Sequence, residues 1–143
     1  MNKTADVLII GGGISGCAIA YNLAKKGVKN IVVLEKNYLA SGATGRCGAG
    51  IRQQWGTEMN CKIAMESIKF FETANEELEY DGDIEFKQDG YLIVASTPKE
   101  DEQFQKNVAL QRSLGMEVDY LTPQEGKKIV PYLNTEKLTS ICL

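Results

Sequence analysis

The sequence predicts an α/β fold that opens with a strand–helix–strand unit on parallel strands and continues into an α+β region. Two stretches predict it. In residues 7–35 an apolar β-branched run, a glycine turn, a helical pattern and a second apolar run follow one another without a gap. In residues 84–143 short apolar runs alternate with Asp-Gly, Gly and Thr-Pro signals for turns and helix starts. The boundary between the regions is expected at Tyr80, giving 1–80 and 81–143.

Val7, Leu8, Ile9 and Ile10 read as a buried parallel strand. Gly11, Gly13 and Gly16 follow at once in the pattern G-x-G-x-x-G, with Ile14 and Ser15 between the last two. Residues 17–26 are helical, with Ile19, Ala20, Leu23 and Ala24 on one face and Gly27 as the stop. Ile31, Val32, Val33 and Leu34 form the second strand, and Glu35 sits at its carboxyl end, followed by Lys36.

Each part of this unit has a physical task. Gly11 permits the tight turn, Gly13 lets a pyrophosphate approach the backbone, and Gly16 lets helix and strand pack closely. The helix N-terminus offers N–H groups and partial positive charge to phosphates. Glu35 can accept hydrogen bonds from ribose hydroxyls, and its charge disfavours a 2′-phosphate. The six-residue glycine pattern alone is a weak signal. Together with strand, helix, second strand and acid it predicts a Rossmann-like dinucleotide site. A ligand-free glycine turn would leave Glu35 without a role.

A helical turn is expected at residues 36–39. Residues 41–50 then contain four glycines among ten, beside Ser41, Ala43, Thr44, Arg46 and Cys47. Such a segment is rich in backbone N–H donors. A flexible surface loop is the plain reading. Its position just after the ribose acid, at the carboxyl edge of the sheet, favours a ligand-wrapping role. A nicotinamide-binding domain has no need for it.

Thr57 is placed as N-cap of a helix reaching Tyr80, with Ile63, Ala64, Ile68, Phe71, Ala74 and Leu78 as its core stripe, and Cys61 and Met65 as packing residues. Residues 84–96 read as a β-hairpin about Asp89-Gly90. Thr97-Pro98-Lys99-Glu100 and Thr122-Pro123-Gln124-Glu125 are capping boxes. The first opens a helix carrying Phe104, Val108 and Leu114 that stops near Gly115, and a short strand is expected at residues 118–121. Residues 138–143 are apolar, and the chain stops within them, which reads as a piece of a longer protein.

Bulk composition narrows the function. The chain has 143 residues and a net charge of −3, with no basic stripe that would suit nucleic acid. It has no histidine, which leaves metal sites and histidine-based triads without support, and no metal site is assigned. Cys17, Cys47, Cys61 and Cys142 do not space as a disulfide framework, so a reducing compartment and the cytoplasm are expected. No signal peptide or membrane span is read.

The fingerprint, the segment Ser-Gly-Ala-Thr-Gly-Arg-Cys-Gly-Ala-Gly-Ile-Arg-Gln-Gln-Trp and the stretch Phe86 to Val94 together resemble the D-amino-acid-oxidase-like FAD-dependent oxidoreductases. Within these the chain is most similar to the sarcosine oxidase β-subunit, glycine oxidase and dye-linked proline dehydrogenase β-subunit group. The resemblance covers essentially the whole chain, and family members are much longer. It implies an N-terminal part of an FAD-binding domain in 1–80 and the start of a substrate domain in 81–143, incomplete relative to the family.

The resemblance also implies roles. Gly11, Gly13, Gly16 and Glu35 bind the ADP half of FAD. Ser41, Gly42, Ala43, Thr44, Gly45, Arg46, Cys47 and Gly48 wrap the pyrophosphate and approach the flavin. Arg52 holds a substrate carboxylate, and Arg46 is the runner-up, a positive charge near the reduced flavin. Cys47 is structural. The implied activity is oxidation of the C–N bond of a small amino acid or secondary amine, of the sarcosine, glycine, proline or D-amino-acid type. A non-catalytic nucleotide-binding subunit of a hetero-oligomer is the alternative, and an NAD-dependent dehydrogenase is a third. The isolated piece is expected to be inactive, to bind FAD weakly, and to self-associate through uncovered residues 138–143 and Tyr91 to Val94.

Overall fold

A computed structural model describes residues 4–143, which form two compact units, one ending at Gly50 and the other running from Ile51 to Leu143.

The first unit is the strand–helix–strand motif. Strand β1 (Val7–Ile10) pairs in parallel with β2 (Ile31–Leu34), with Val7 opposite Ile31 and Ile10 opposite Leu34. Helix α1 (Ile14–Lys25) joins them. It ends as the glycine stop requires: Gly27 has φ +91°, its N–H donates to Ala24 O at 2.9 Å, and Val28 N–H donates to Leu23 O at 3.1 Å. This doubly bonded C-terminal motif places a positive φ where glycine carries little strain.

The helix covers one face of the strand pair, the face of Ile9, whose Cγ2 lies 3.3 Å from where a Gly16 Cβ would stand. Gly16, Ala20 and Leu23 are the half-buried line of α1, whereas Ile19 and Ala24 are exposed, against the expected stripe. The covered line is narrower than expected: Ala20 and Leu23 keep their places on it, and Gly16, the residue of closest approach, lies between them in angle about the helix. The strands also differ from the buried pair expected. Leu8, Ile10, Val32 and Leu34 form an exposed apolar face, with Ile10 at 85% exposure. A parallel sheet needs cover on both faces, and α1 supplies one.

In the second unit, helix α2 (Glu58–Glu77) packs with α3 (Pro98–Ser113). Short strands β3 (Ile93–Ala95), β4 (Tyr120–Leu121) and β5 (Ser140–Cys142) make an antiparallel sheet of order β3-β5-β4, and α4 (Pro123–Ile129) lies on it. The contact of α4 with β5 is so close that a Cβ on Gly126 would fall 2.2 Å from Ile141 Cδ1. The core joins Cys61, Val108, Met116, Val118 and Cys142, with Met65, Phe104 and Leu114 packed against it.

Local signals set these boundaries. Thr97 and Thr122 both form complete capping boxes, with Glu100 and Glu125 reaching back to the cap backbone. Thr57 is the N-cap of α2, yet its side chain makes no capping bond. The α2 stripe runs through Cys61, Ala64, Met65, Ile68, Phe71 and Ala74, while Ile63 and Leu78 are exposed. Leu78 is the C-cap and lies off the packed turns.

Two expectations are corrected. The hairpin about Asp89-Gly90 does not form. Gly90 takes the positive φ of a turn (+83°), but β3 pairs with β5, and residues 84–88 follow α2 instead. Ile84 N–H donates to Asn75 Oδ1 at 3.2 Å, and the Phe86 ring packs 5.7 Å from that of Phe71. Side-chain anchorage to the helix replaces strand pairing. Nor are residues 138–143 an uncovered edge: β5 is the central strand and its three residues are buried. Its backbone groups are taken up on both sides, by β3 and by β4. Tyr91 and Val94 do remain exposed.

Candidate functional site

The glycine turn and Glu35 form one hydrogen-bonded knot. Gly11, at φ +109°, turns the chain out of β1, and its N–H donates to Leu34 O at 2.8 Å. Gly12 N–H then donates to Glu35 Oε2 at 2.8 Å, and Asn37 N–H donates to Glu35 Oε1 at 2.9 Å. These two amides, Gly12 first, hold the Glu35 carboxyl below the usual carboxylate range, and the Lys36 charge adds to them. The site therefore presents an ionised carboxylate at the end of β2.

Space is as tight as the motif demands. A Cβ on Gly16 would lie 2.0 Å from Gly11 O, so helix and turn could not approach with any side chain there. A Cβ on Gly12 would meet Leu39 Cδ2 at 2.6 Å and Glu35 Cβ at 3.1 Å. Gly12 is thus a packing residue of the site that the G-x-G-x-x-G pattern leaves as an unspecified x. The run of three glycines was the available signal. Gly13, the α1 N-cap, would meet Thr44 Oγ1 at 3.1 Å.

Thr44 lies in the second glycine-rich stretch, which folds back onto the fingerprint. Its hydroxyl accepts the N–H of Ile14, the first residue of α1, at 3.0 Å. One of the first-turn amides that a helix leaves without a carbonyl partner is held in this way. The loop is braced by Ala40 N–H to Gly12 O at 2.9 Å and Gly45 N–H to Ala40 O at 2.9 Å. A Cβ on Gly45 would come within 2.5 Å of Ala40 O. A 3-10 turn, Thr44–Arg46, follows with Ala43 as its cap. Arg46 bends back, Nη2 donating to Ser41 O at 3.4 Å, and the Cys47 thiol donates to Thr44 O at 3.1 Å. Gly42 and Gly48 have open space about them; Ser15 lies in the first turn of α1 and Lys36 is exposed.

These residues fit the ADP and pyrophosphate part of a dinucleotide: a side-chain-free turn, a helix N-terminus and an ionised carboxylate occur in one compact unit. Gly11, Gly13, Gly16, Glu35 and the loop at residues 41–48 are brought together there.

Arg52 belongs to the second unit. Its guanidinium carbon stands 4.3 Å from the centre of the Trp55 ring, and Trp55 Nε1–H donates to Arg52 O at 3.0 Å. Arg52 Nε and Gln54 Oε1 are both buried and without a hydrogen-bond partner. The Trp55 carbonyl accepts from Gln111 Nε2 at 2.9 Å and from the Cys61 thiol at 3.2 Å. Gln111 could not be singled out in the sequence, since it is one polar residue within a helical run. Among the described residues no cluster of His, Cys, Asp or Glu could hold a metal ion, and no helix is long and apolar enough to cross a membrane.

The chain is similar to known proteins in sequence and in fold. The sarcosine oxidase subunit beta of Arthrobacter sp is 37% identical over 133 residues, covering 92% of this chain and 32% of that protein. The mitochondrial dimethylglycine dehydrogenase of Rattus norvegicus is 33% identical over 135 residues, covering 94% of this chain and 15% of its own length. In structure, L-proline dehydrogenase from P.horikoshii superposes with TM-score 0.87 at 35% identity, covering 99% of this chain and 37% of that one. Glycine oxidase from Geobacillus kaustophilus superposes with TM-score 0.82 at 29% identity, covering 96% of this chain and 38% of that one. The chain therefore spans a third or less of the length of the curated relatives named here. A family model described as FAD dependent oxidoreductase matches residues 6–141. The chain belongs to the DAO family of FAD dependent oxidoreductases, and it corresponds to an N-terminal segment of its members.

Proposed function

We propose that this chain is the N-terminal part of an FAD-dependent oxidoreductase that oxidises the C–N bond of a small amino acid or secondary amine. The observation that carries the reading is the joining of Glu35, the glycine turn and Thr44 at the N-terminus of α1 in one unit. In the relatives' terms the substrate is of the sarcosine, glycine, proline or dimethylglycine type. The division of labour expected from the sequence, cofactor in 1–80 and substrate in 81–143, is proposed as the functional partition.

Within it, Gly11, Gly13, Ile14, Ser15 and Gly16 would bring backbone N–H groups to the pyrophosphate, and Glu35 would accept from the ribose hydroxyls, with Lys36 beside it. Residues 41–48 would close over the phosphates, Thr44 holding the helix amide in place. Arg52 would take the substrate carboxylate through its planar donor fork, and Arg46 would supply positive charge to the flavin region. Bound FAD would supply a two-electron oxidant: the carbon next to the amine would give up a hydride to it and the nitrogen a proton to solvent, and water would hydrolyse the resulting imine. The 143-residue chain, which spans about a third of its relatives' length, would bind FAD weakly.

The four cysteines are all free thiols, which suits a reducing compartment such as the cytoplasm. The designation subunit beta on the sarcosine oxidase relatives favours a second reading, a non-catalytic subunit in a hetero-oligomer. Self-association is proposed through the open Leu8–Ile10–Val32–Leu34 face.

The longer protein containing this segment should purify yellow and bleach anaerobically with sarcosine, glycine, proline or a D-amino acid. A colourless protein that takes up no added FAD rejects the reading. Turnover without any added partner rejects the non-catalytic one.

A further inference from the structure

We propose that Gln111 is a positioning residue for Arg52. The inference rests on the reading of Arg52 as the group that takes a substrate carboxylate. Gln111 is on α3, 56 residues from Trp55, and only 3% exposed. A buried amide is retained where its hydrogen bonds are made. Here its Nε2 donates 2.9 Å to the Trp55 carbonyl, which also takes the thiol of the fully buried Cys61. The carbonyl is therefore clamped from α3 and from α2 together. Gly56, the next residue, sits where a Cβ would be 3.2 Å from Asn107 Oδ1, so the turn rests on α3 without a spacer.

From this clamp two contacts lead to Arg52. The Trp55 indole N–H donates to the Arg52 carbonyl at 3.0 Å, and the indole ring faces the guanidinium at 4.3 Å. A long arginine side chain has many rotamers, and a carboxylate is gripped by both donors only if the fork is already aimed. The ring supplies a surface beneath the fork, with an attraction of its own. Gln111 fixes the ring's backbone and touches neither fork nor substrate. The buried, unpartnered Arg52 Nε is the atom whose placement the clamp controls.

The test uses the 143-residue chain, whose single tryptophan gives one unambiguous indole N–H resonance in ¹H–¹⁵N spectra. Acetate is the carboxylate probe, titrated into wild type, Arg52→Ala and Gln111→Met while the Trp55 indole N–H and Arg52 Nε–H are followed. Acetate should shift the Arg52 resonance in wild type, and Arg52→Ala should abolish the response at Trp55. Gln111→Met should move or broaden the indole resonance before any acetate is added and raise the acetate Kd about tenfold. An unchanged Kd in Gln111→Met overturns the positioning role and leaves the Arg52 reading standing. A wild-type Arg52 resonance indifferent to acetate overturns the Arg52 reading itself, and the positioning role with it. Where Gln111→Met does not fold, Trp55→Phe takes its place: it keeps a ring under the guanidinium but loses the N–H to the Arg52 carbonyl. Unchanged acetate affinity in that variant overturns the relay.

Discussion

Gly12 and Glu35 hold each other: the glycine's N–H donates to Glu35 Oε2 at 2.8 Å, and the Glu35 Cβ fills the space a Gly12 side chain would need. The carboxylate is thereby fixed by the glycine turn, and its ionisation supports the turn. The folded-state pKa lies below the ordinary 4.5, so an unfolded chain takes up the proton first as pH falls. The stabilisation is complete above 4.5 and is lost as the pH drops through the folded value. Glu35→Gln should therefore lower the melting temperature near neutral pH, with the two curves converging in acid. Thermal melts across a pH series check this; parallel curves would show that the carboxylate charge contributes nothing to the turn.

Thr44→Val should weaken FAD binding by the longer flavoprotein by about 1 to 2 kcal/mol, because the Ile14 N–H loses its acceptor and the loop its tie to α1. Thr44→Ser should retain most of the affinity. Titration of the apoprotein with FAD, followed by flavin fluorescence, separates the two variants.

Two threonine N-caps provide an internal comparison. Thr97→Ala should cost about 1 kcal/mol, since its hydroxyl accepts Glu100 N–H at 3.3 Å within a complete capping box. Thr57→Ala should change stability much less, because the Thr57 side chain makes no capping bond. Urea denaturation of both variants measures the difference directly.

Thiol reactivity should divide evenly. Cys17 and Cys47 are exposed, and Cys61 and Cys142 are buried. Burial, with the Asp101 charge adding to it, pushes the Cys142 thiol up to about 11, so it stays protonated as well as shielded. An aromatic disulfide reagent at roughly pH 8 should titrate two thiols in the native chain and four after unfolding.

The first unit was largely legible in the sequence, because its signals are local. Val7–Ile10 and Ile31–Leu34 are strands with the boundaries their apolar runs imply, and Gly27 stops α1 where it should. The two Thr-Pro-x-Glu boxes are equally local, and both form. What could not be read depends on distant partners. Asp89-Gly90 has hairpin chemistry, but Ile93–Ala95 finds its partner nearly fifty residues later in Ser140–Cys142. Glu35 was legible as an acid at the end of the second strand, whereas its hold on Gly12 was not, since the pattern leaves that position unspecified. Thr44 was legible as part of a glycine-rich loop, and only the fold shows which amide it meets. Gln111 had no sequence signal, because its value comes from one carbonyl on another segment.

The place of β5 has a consequence for how the chain assembles on the ribosome. β3 and β4 are not paired with each other; each is bonded to a strand that is synthesised after both, and Leu143 exchanges two backbone hydrogen bonds with Asp119, at 2.9 and 3.0 Å. During synthesis, α3 and α4 can form as soon as they emerge, but the sheet beneath them has to wait for Ser140–Cys142. The strand–helix–strand unit, whose pairing closes within its first thirty-four residues, has no such delay. Folding of the nascent chain is thus staged, with the glycine turn in place well before the second unit closes on β5.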